Sequence, residues 1–187
     1  MASALRLFVQ RGFRDTTVDQ IADECGLTKG AVYHYYGGKE DLLLALLSQI
    51  ESQAIHTRDN PRRKPGETAA HWLDRYIKMQ GIQAAEHPHA YLLLVILSAD
   101  MSSGPRVAEK VSEMYSALRR TVEEIISEGQ ESGEFSRDWM PSDLGLVWLS
   151  AFSGNVLHWH RSGRTKAVGE ALLRALRLTF TRALLPH

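Results

Sequence analysis

The chain has 187 residues, with 22 Lys and Arg against 22 Asp and Glu and a formal net charge of +0. That length holds one compact domain, or a small domain with a medium one, and buries a core without staples. The neutral balance excludes a strongly basic, non-specific nucleic-acid coat. It does not exclude a sequence-specific reader, which needs positive charge only at its contact face. The single cysteine, Cys25, rules out an internal disulfide framework and fits a reducing compartment. No apolar run approaches the roughly 20 residues of a membrane span. The start, Met-Ala-Ser-Ala-Leu-Arg, lacks a signal-peptide layout, so a cytoplasmic location without membrane contact is expected.

Between Pro and Gly punctuation nearly every segment has a helical period, which predicts an all-α fold of about nine helices. A first helix over Ala2–Arg11 carries Leu5, Phe8 and Val9, and Gly12 is placed to end it in a left-handed cap. Thr16 and Thr17 are N-cap candidates, and Thr17 with Gln20 matches a capping box for Val18–Cys25. Gly26 makes a tight turn. Leu27 and Val32 flank Thr28 at the spacing of a hydrophobic staple, and Cys25 reads as a small buried residue. Thr28–Tyr36 then packs a Lys, three Tyr and a His into nine residues, an unusual polar-aromatic density for so short a helix. We read helix, glycine turn and capped helix as a helix-turn-helix whose second helix enters the DNA major groove.

Gly37-Gly38 stops that helix, and Lys39-Glu40-Asp41 opens a fourth with Leu42, Leu43, Leu46, Leu47 and Ile50 as its apolar stripe. Thr57–Glu67 reads as a polar loop; its Arg62-Arg63-Lys64 run is read as solvated, with phosphate contact as the alternative. Five more helices are expected: Thr68–Glu86, Pro88–Asp100 (apolar nearly all round, hence buried), Pro105 to Ser132, Pro141–Arg161, and one capped by Thr165 running to about Leu185. The last two hold more apolar surface than one face needs. Gly145, Ser150, Ser153 and Gly154 permit close approach, so these helices are expected to build a four-helix interface between two copies.

The run Leu7-Phe8-Val9-Gln10-Arg11-Gly12-Phe13, then Thr16–Ala22, Gly26–Tyr36 and Lys39–Leu42, resembles the DNA-binding domain of the tetracycline-repressor (TetR) family. The resemblance covers about the first quarter of the chain; beyond it only the helical body is similar. It implies a DNA-binding domain over 1–47, a ligand-binding and dimerisation domain over 48–187, and a cytoplasmic homodimeric repressor released from a palindromic operator by a small molecule. It further implies that Thr28, Lys29 and Gly30 open the recognition helix, that Tyr33 and His34 face DNA, that Tyr36 closes the small core, that Lys39 reaches a phosphate and that Thr17 contacts the backbone. Two features depart from the family pattern. This sequence begins almost inside the first helix, whereas the family carries several more residues, often with Arg or Lys. Gly37-Gly38 also replaces the usual polar cap before Lys39.

The chemistry of the residues agrees. A helix N-terminus and hydroxyls suit phosphate oxygens. Lys29 suits G O6/N7 or a phosphate, Gly30 allows close backbone approach, Ala31 suits a thymine methyl, and Tyr33 and His34 offer flat surfaces. Tyr36 and Val32 are assigned to the core, and Tyr35 is left between core and DNA. Arg6, Arg11, Arg14, Lys29 and Lys39 face six acids (Asp15, Asp19, Asp23, Glu24, Glu40, Asp41), giving 5 − 6 = −1, so the acids are expected to point away from DNA.

For the ligand, Trp72, Tyr76, Met79, Tyr115, Trp148, Phe152, Asn155 and His158, extended by Tyr91, Met101 and Trp159, suit a cavity between helices for a small apolar or aromatic molecule. Taken singly, each reads first as packed core. His158 and His160 lie two apart on a helix and cannot share an ion, and His87-Pro88-His89 lacks a surrounding ligand set, so no metal site and no cofactor are expected. No nucleophile–base pair or phosphate loop is evident, so no catalytic residue is assigned. The alternatives are a helical ligand-binding protein or enzyme with a purely structural N-terminal unit, and a helix-turn-helix protein governed by a protein partner, or an activator.

Overall fold

A computed structural model describes residues 1–55 and 62–185. Among the described residues there are nine α-helices and no strand. They are α1 (Ala2–Asp15), α2 (Val18–Glu24), α3 (Lys29–Tyr35), α4 (Lys39–Ile50), α5 (Ala69–Glu86), α6 (Pro88–Ala99), α7 (Pro105–Glu131), α8 (Pro141–Arg161) and α9 (Lys166–Ala183). A π-helical stretch, Glu51–Ile55, extends α4, and a 3₁₀ turn, Met101–Ser103, follows α6. The part of the expected loop over 57–61 lies outside the described residues, as does the side chain of Met101. Two compact units result. One takes the described residues of Met1–His56 and His87–Met114, the other those of Thr57–Glu86 and Tyr115–His187.

In the first unit α1 packs on α2 and α6, and α2 on α3. Phe8, Leu43 and Leu47 are fully buried, and Leu7, Ile21, Val32 and Leu94 join them; each such side chain contributes about 1.5–3 kcal/mol on burial. The first helix is interrupted at Gly12, where the sequence places its end (φ 78°, ψ 170°), and helical backbone resumes beyond it to Asp15. The hydroxyl of fully buried Thr16 donates to the Gly12 carbonyl (2.7 Å) and the Leu7 carbonyl (3.3 Å), which satisfies acceptors exposed by the break. Thr16 is thus a core residue, and Thr17 is the cap. α6 buries Tyr91, Leu93, Leu94 and Leu97, whereas Leu92, Val95 and Ile96 are half-buried.

In the second unit α9 packs on both α5 and α8. Trp148 is completely buried, stacked on Phe152 (centroids 5.2 Å apart, planes at 7°) and tilted against Tyr76 (5.7 Å). The Tyr76 hydroxyl donates to the Leu118 carbonyl at 3.1 Å, and burial raises its pKa. A Cβ on Gly81 would sit 2.7 Å from the end of the Leu173 side chain, so Leu173 of α9 packs directly onto the bare backbone of α5. Arg177 grips Asp74 with two bonds of 2.6 and 2.7 Å, tying α9 to α5. The Arg62-Arg63-Lys64 run is not simply solvated. Arg63 bridges Glu128 (3.3 Å) and Glu134 (2.7 Å), and Glu134 also accepts from the Ala69 amide (2.6 Å) at the start of α5. No described helix is long and apolar enough to cross a membrane.

Candidate nucleic-acid interface and ligand cavity

Local bonding fixes α2 and α3 before any long-range contact is considered. The Thr17 hydroxyl oxygen accepts from the Gln20 amide (3.2 Å), and the Gln20 side chain accepts from the Thr17 amide (3.0 Å), completing the capping box. α2 then ends in a Schellman turn. Gly26, at φ 64°, donates to the Asp23 carbonyl (3.1 Å), and the Leu27 amide donates to the Ala22 carbonyl (2.9 Å). Thr28 caps α3 by accepting from the Ala31 amide at 3.1 Å. Both cap threonines use an oxygen lone pair inward, which leaves the hydroxyl hydrogen for a phosphate. Of the expected staple pair, Val32 is buried and Leu27 is 52% exposed. Cys25 is exposed rather than buried, because it forms the cap of α2 at the surface.

α3 turns only Val32 fully inward. Lys29, Gly30, Tyr33, His34 and Tyr35 are exposed, and Ala31 is half-buried. Tyr35, left open by the sequence, is 77% exposed and meets His34 edge-on at 5.2 Å. Tyr36 is half-buried, with its hydroxyl on the Met1 sulfur at 3.7 Å.

Several cations of this unit are engaged within it. Lys29 Nζ bonds Asp19 Oδ2 of α2 at 2.9 Å, and that hydrogen bond raises the lysine pKa. Asp19 therefore does not point away from the face, contrary to the expectation from charge balance. Lys39 Nζ donates to the carbonyls of Phe13 (2.6 Å) and Arg14 (3.1 Å) and lies over the Phe13 ring at 4.4 Å. It neutralises the carbonyl end of α1, and burial lowers its pKa. Arg6 pairs with Glu24, and Arg106 pairs with Asp41 (2.9 Å). Arg11 and Arg14 have no acidic partner within salt-bridge distance among the described residues.

The second unit holds a cavity of about 420 Å³ walled by α5, α8 and α9. Phe152, Asn155 and Trp159, all expected, line it together with Val156, Gly81, Leu172, Leu173 and Leu176. Arg164, Lys166 and Glu170 also line it. Phe152, Asn155 and Trp159 recur at helical spacing and so share one face of α8. The other expected residues are not among its walls. Trp72, Tyr76 and Trp148 fill the core, Met79 and Tyr115 are half-buried, and His158 is exposed on another face of α8. Tyr91 is buried in the first unit. The glycines and the charged residues were missed, because their signal is a backbone close approach and a turn rather than apolar periodicity. Among the described residues, no group of three or more His, Cys, Asp or Glu could hold a metal ion.

A capped α2, a glycine turn and an outward polar-aromatic α3 define a DNA reader of the helix-turn-helix class. The family model for bacterial regulatory proteins of the tetR family matches residues 1–46. The HTH-type transcriptional repressor KstR2 of Mycobacterium tuberculosis is 27% identical over 164 residues, covering 86% of this chain and 78% of that protein. The crystal structure of the MbdR regulator from Azoarcus sp. CIB superposes with a TM-score of 0.86 at 30% identity, over 99% of this chain and 96% of that one. The transcriptional regulator FadR from Bacillus subtilis, solved in complex with stearoyl-CoA, shares the fold (TM-score 0.80, 19% identity, 98% and 96% covered). The chain belongs to the tetR family and is a DNA-binding transcriptional regulator.

Proposed function

We propose that the chain is a homodimeric repressor that binds a palindromic operator through α3 and leaves it when a small molecule occupies the second unit. In this reading residues 1–47 form the DNA-binding domain and 48–187 the effector and dimerisation domain. The observation that carries it is the outward face of α3, where Lys29, Gly30, Tyr33 and His34 stand exposed on a helix held by Thr28. Thr17 and Thr28 supply hydroxyl donors to phosphate, Ala31 meets a thymine methyl, and Lys39 moves from the α1 carbonyls to a phosphate. Apolar side chains left exposed on the last two helices support dimerisation: Leu146, Val147 and Leu157 on α8, Leu178 on α9. The two recognition helices then sit about 34–36 Å apart, or a multiple of that. Effector binding acts only if the ligand favours the DNA-incompetent state.

The test is the mass in solution together with selection from a randomised DNA pool at two salt concentrations. A dimer that selects a palindrome, and loses it on Lys29→Ala with Tyr33→Ala, is the expected result. A monomer that selects nothing overturns the reading.

A further inference from the structure

We propose that the effector is an amphipathic anion: an apolar body on the order of a dozen non-hydrogen atoms, with a terminal carboxylate or phosphate held at Arg164 beside Lys166. This rests on the repressor reading above and adds the chemistry of its ligand. The size follows from the cavity, about 420 Å³, taken at about 30 Å³ per small group. Its apolar walls, buried Phe152, Val156 and Leu176 with half-buried Leu172 and Leu173, offer nothing polar to a ligand, and Asn155 is the uncharged polar side chain beside them.

The charge lies at the α8–α9 turn. Lys166 Nζ is 3.8 Å from Glu170 Oε1, so those two lining residues largely compensate each other. Arg164 has no acidic partner among the described residues, and the set carries one net positive charge. The arginine also stands at φ 57°, the only positive φ outside glycine among the described residues. A side chain there is strained, and such strain persists where the surroundings enforce it. Here the Arg164 amide donates to the Trp159 carbonyl (2.9 Å), and the Trp159 indole donates to the Thr165 carbonyl (3.0 Å), clamping the turn against the cavity wall. Gly169 makes room for that indole, since a Cβ would sit 3.0 Å from Nε1. The turn thus places Arg164, exposed and without an acidic partner among the described residues, at the edge of an apolar cavity, where its guanidinium can give a carboxylate or phosphate two parallel N–H bonds.

The test uses the full chain and four probes with one alkyl tail: decanoate, decyl phosphate, decanol and decyltrimethylammonium. Direct binding is measured by calorimetry, and release of the selected operator is measured separately. The anions should bind at least about tenfold tighter than decanol, the value of one charge-assisted hydrogen bond. Arg164→Gln should erase that preference, Arg164→Lys should keep most of it, and Ala85→Phe should weaken all four probes by narrowing the cavity. Comparison of decanoate with decyl phosphate tells carboxylate from phosphate. Decanol binding as tightly as the anions, an unchanged preference in Arg164→Gln, or no binding of any probe overturns the proposal. Operator selection without ligand is scored independently, so a chain that selects a palindrome but ignores the anions keeps the repressor reading and loses only this one.

Discussion

Asp19 and Lys29 make a sharp test of how α3 engages DNA. The two side chains are 56% and 57% exposed and meet at 2.9 Å. A pair so open to water is weak, so a phosphate or a guanine edge should draw Lys29 away and leave Asp19 as a fixed anion at the interface. Each neutralised phosphate adds about 0.9 to the slope of log affinity against log salt. A dimer carries two copies, so Lys29→Ala should flatten the slope by about 1.8. Between 50 and 200 mM salt, a fourfold change, that amounts to about a twelvefold difference in how much affinity falls. Asp19→Asn should tighten binding, most at low salt, and should tighten it less when Lys29 is already Ala. Anisotropy titrations of the selected operator at several salt concentrations measure all four proteins of the cycle. A slope unmoved by Lys29→Ala would refute the assignment of Lys29 to phosphate. Weaker binding by Asp19→Asn would show instead that Asp19 aims the lysine.

Other outcomes follow from the packing. Thr17→Ala removes the capping box and should cost about 0.5–2 kcal/mol of first-unit stability, read by urea unfolding. A Cβ on Gly129 would meet the buried Phe135 ring at 2.2 Å, so Gly129→Ala should destabilise by about 1–3 kcal/mol despite alanine's better helix propensity; a gain in stability would contradict the packing. Trp148→Ala should cost about 3–5 kcal/mol, because a fully buried ring between Tyr76 and Phe152 is lost. Arg75 bonds Glu67 (2.6 Å) and holds its carboxyl pKa at about 2, well below the usual carboxylate value of 4.5. A depressed carboxylate stabilises above its unfolded pKa and loses that contribution as pH falls towards its folded one. Stability should therefore drop between about pH 4.5 and 2, and Arg75→Gln should drop less steeply across that window in pH-dependent urea midpoints.

Local chemistry alone determined much of the chain. The capping box at Thr17, the cap at Thr28, the turn at Gly26, Pro at the starts of α6, α7 and α8, and the apolar period of α4 each act within a few residues, so they are legible without a fold. The outward set on α3 was legible for the same reason, since a short capped helix with one inward residue must expose the rest. Side-chain partners were not. Asp19 reaching Lys29, Lys39 closing on the α1 carbonyls and Arg63 joining Glu128 and Glu134 bring together groups that lie 10 to 71 positions apart in sequence. Burial was equally opaque for aromatics. Periodicity placed Trp148 and Phe152 on one helix face, but only the packing of α5, α8 and α9 decided that Trp148 fills the core while Phe152 also borders a cavity. The cavity itself depends on the space left by Gly81 and Gly169 and on a strained Arg164. Periodicity records which residues are apolar; whether they close up or leave a void is decided by how closely the helices approach.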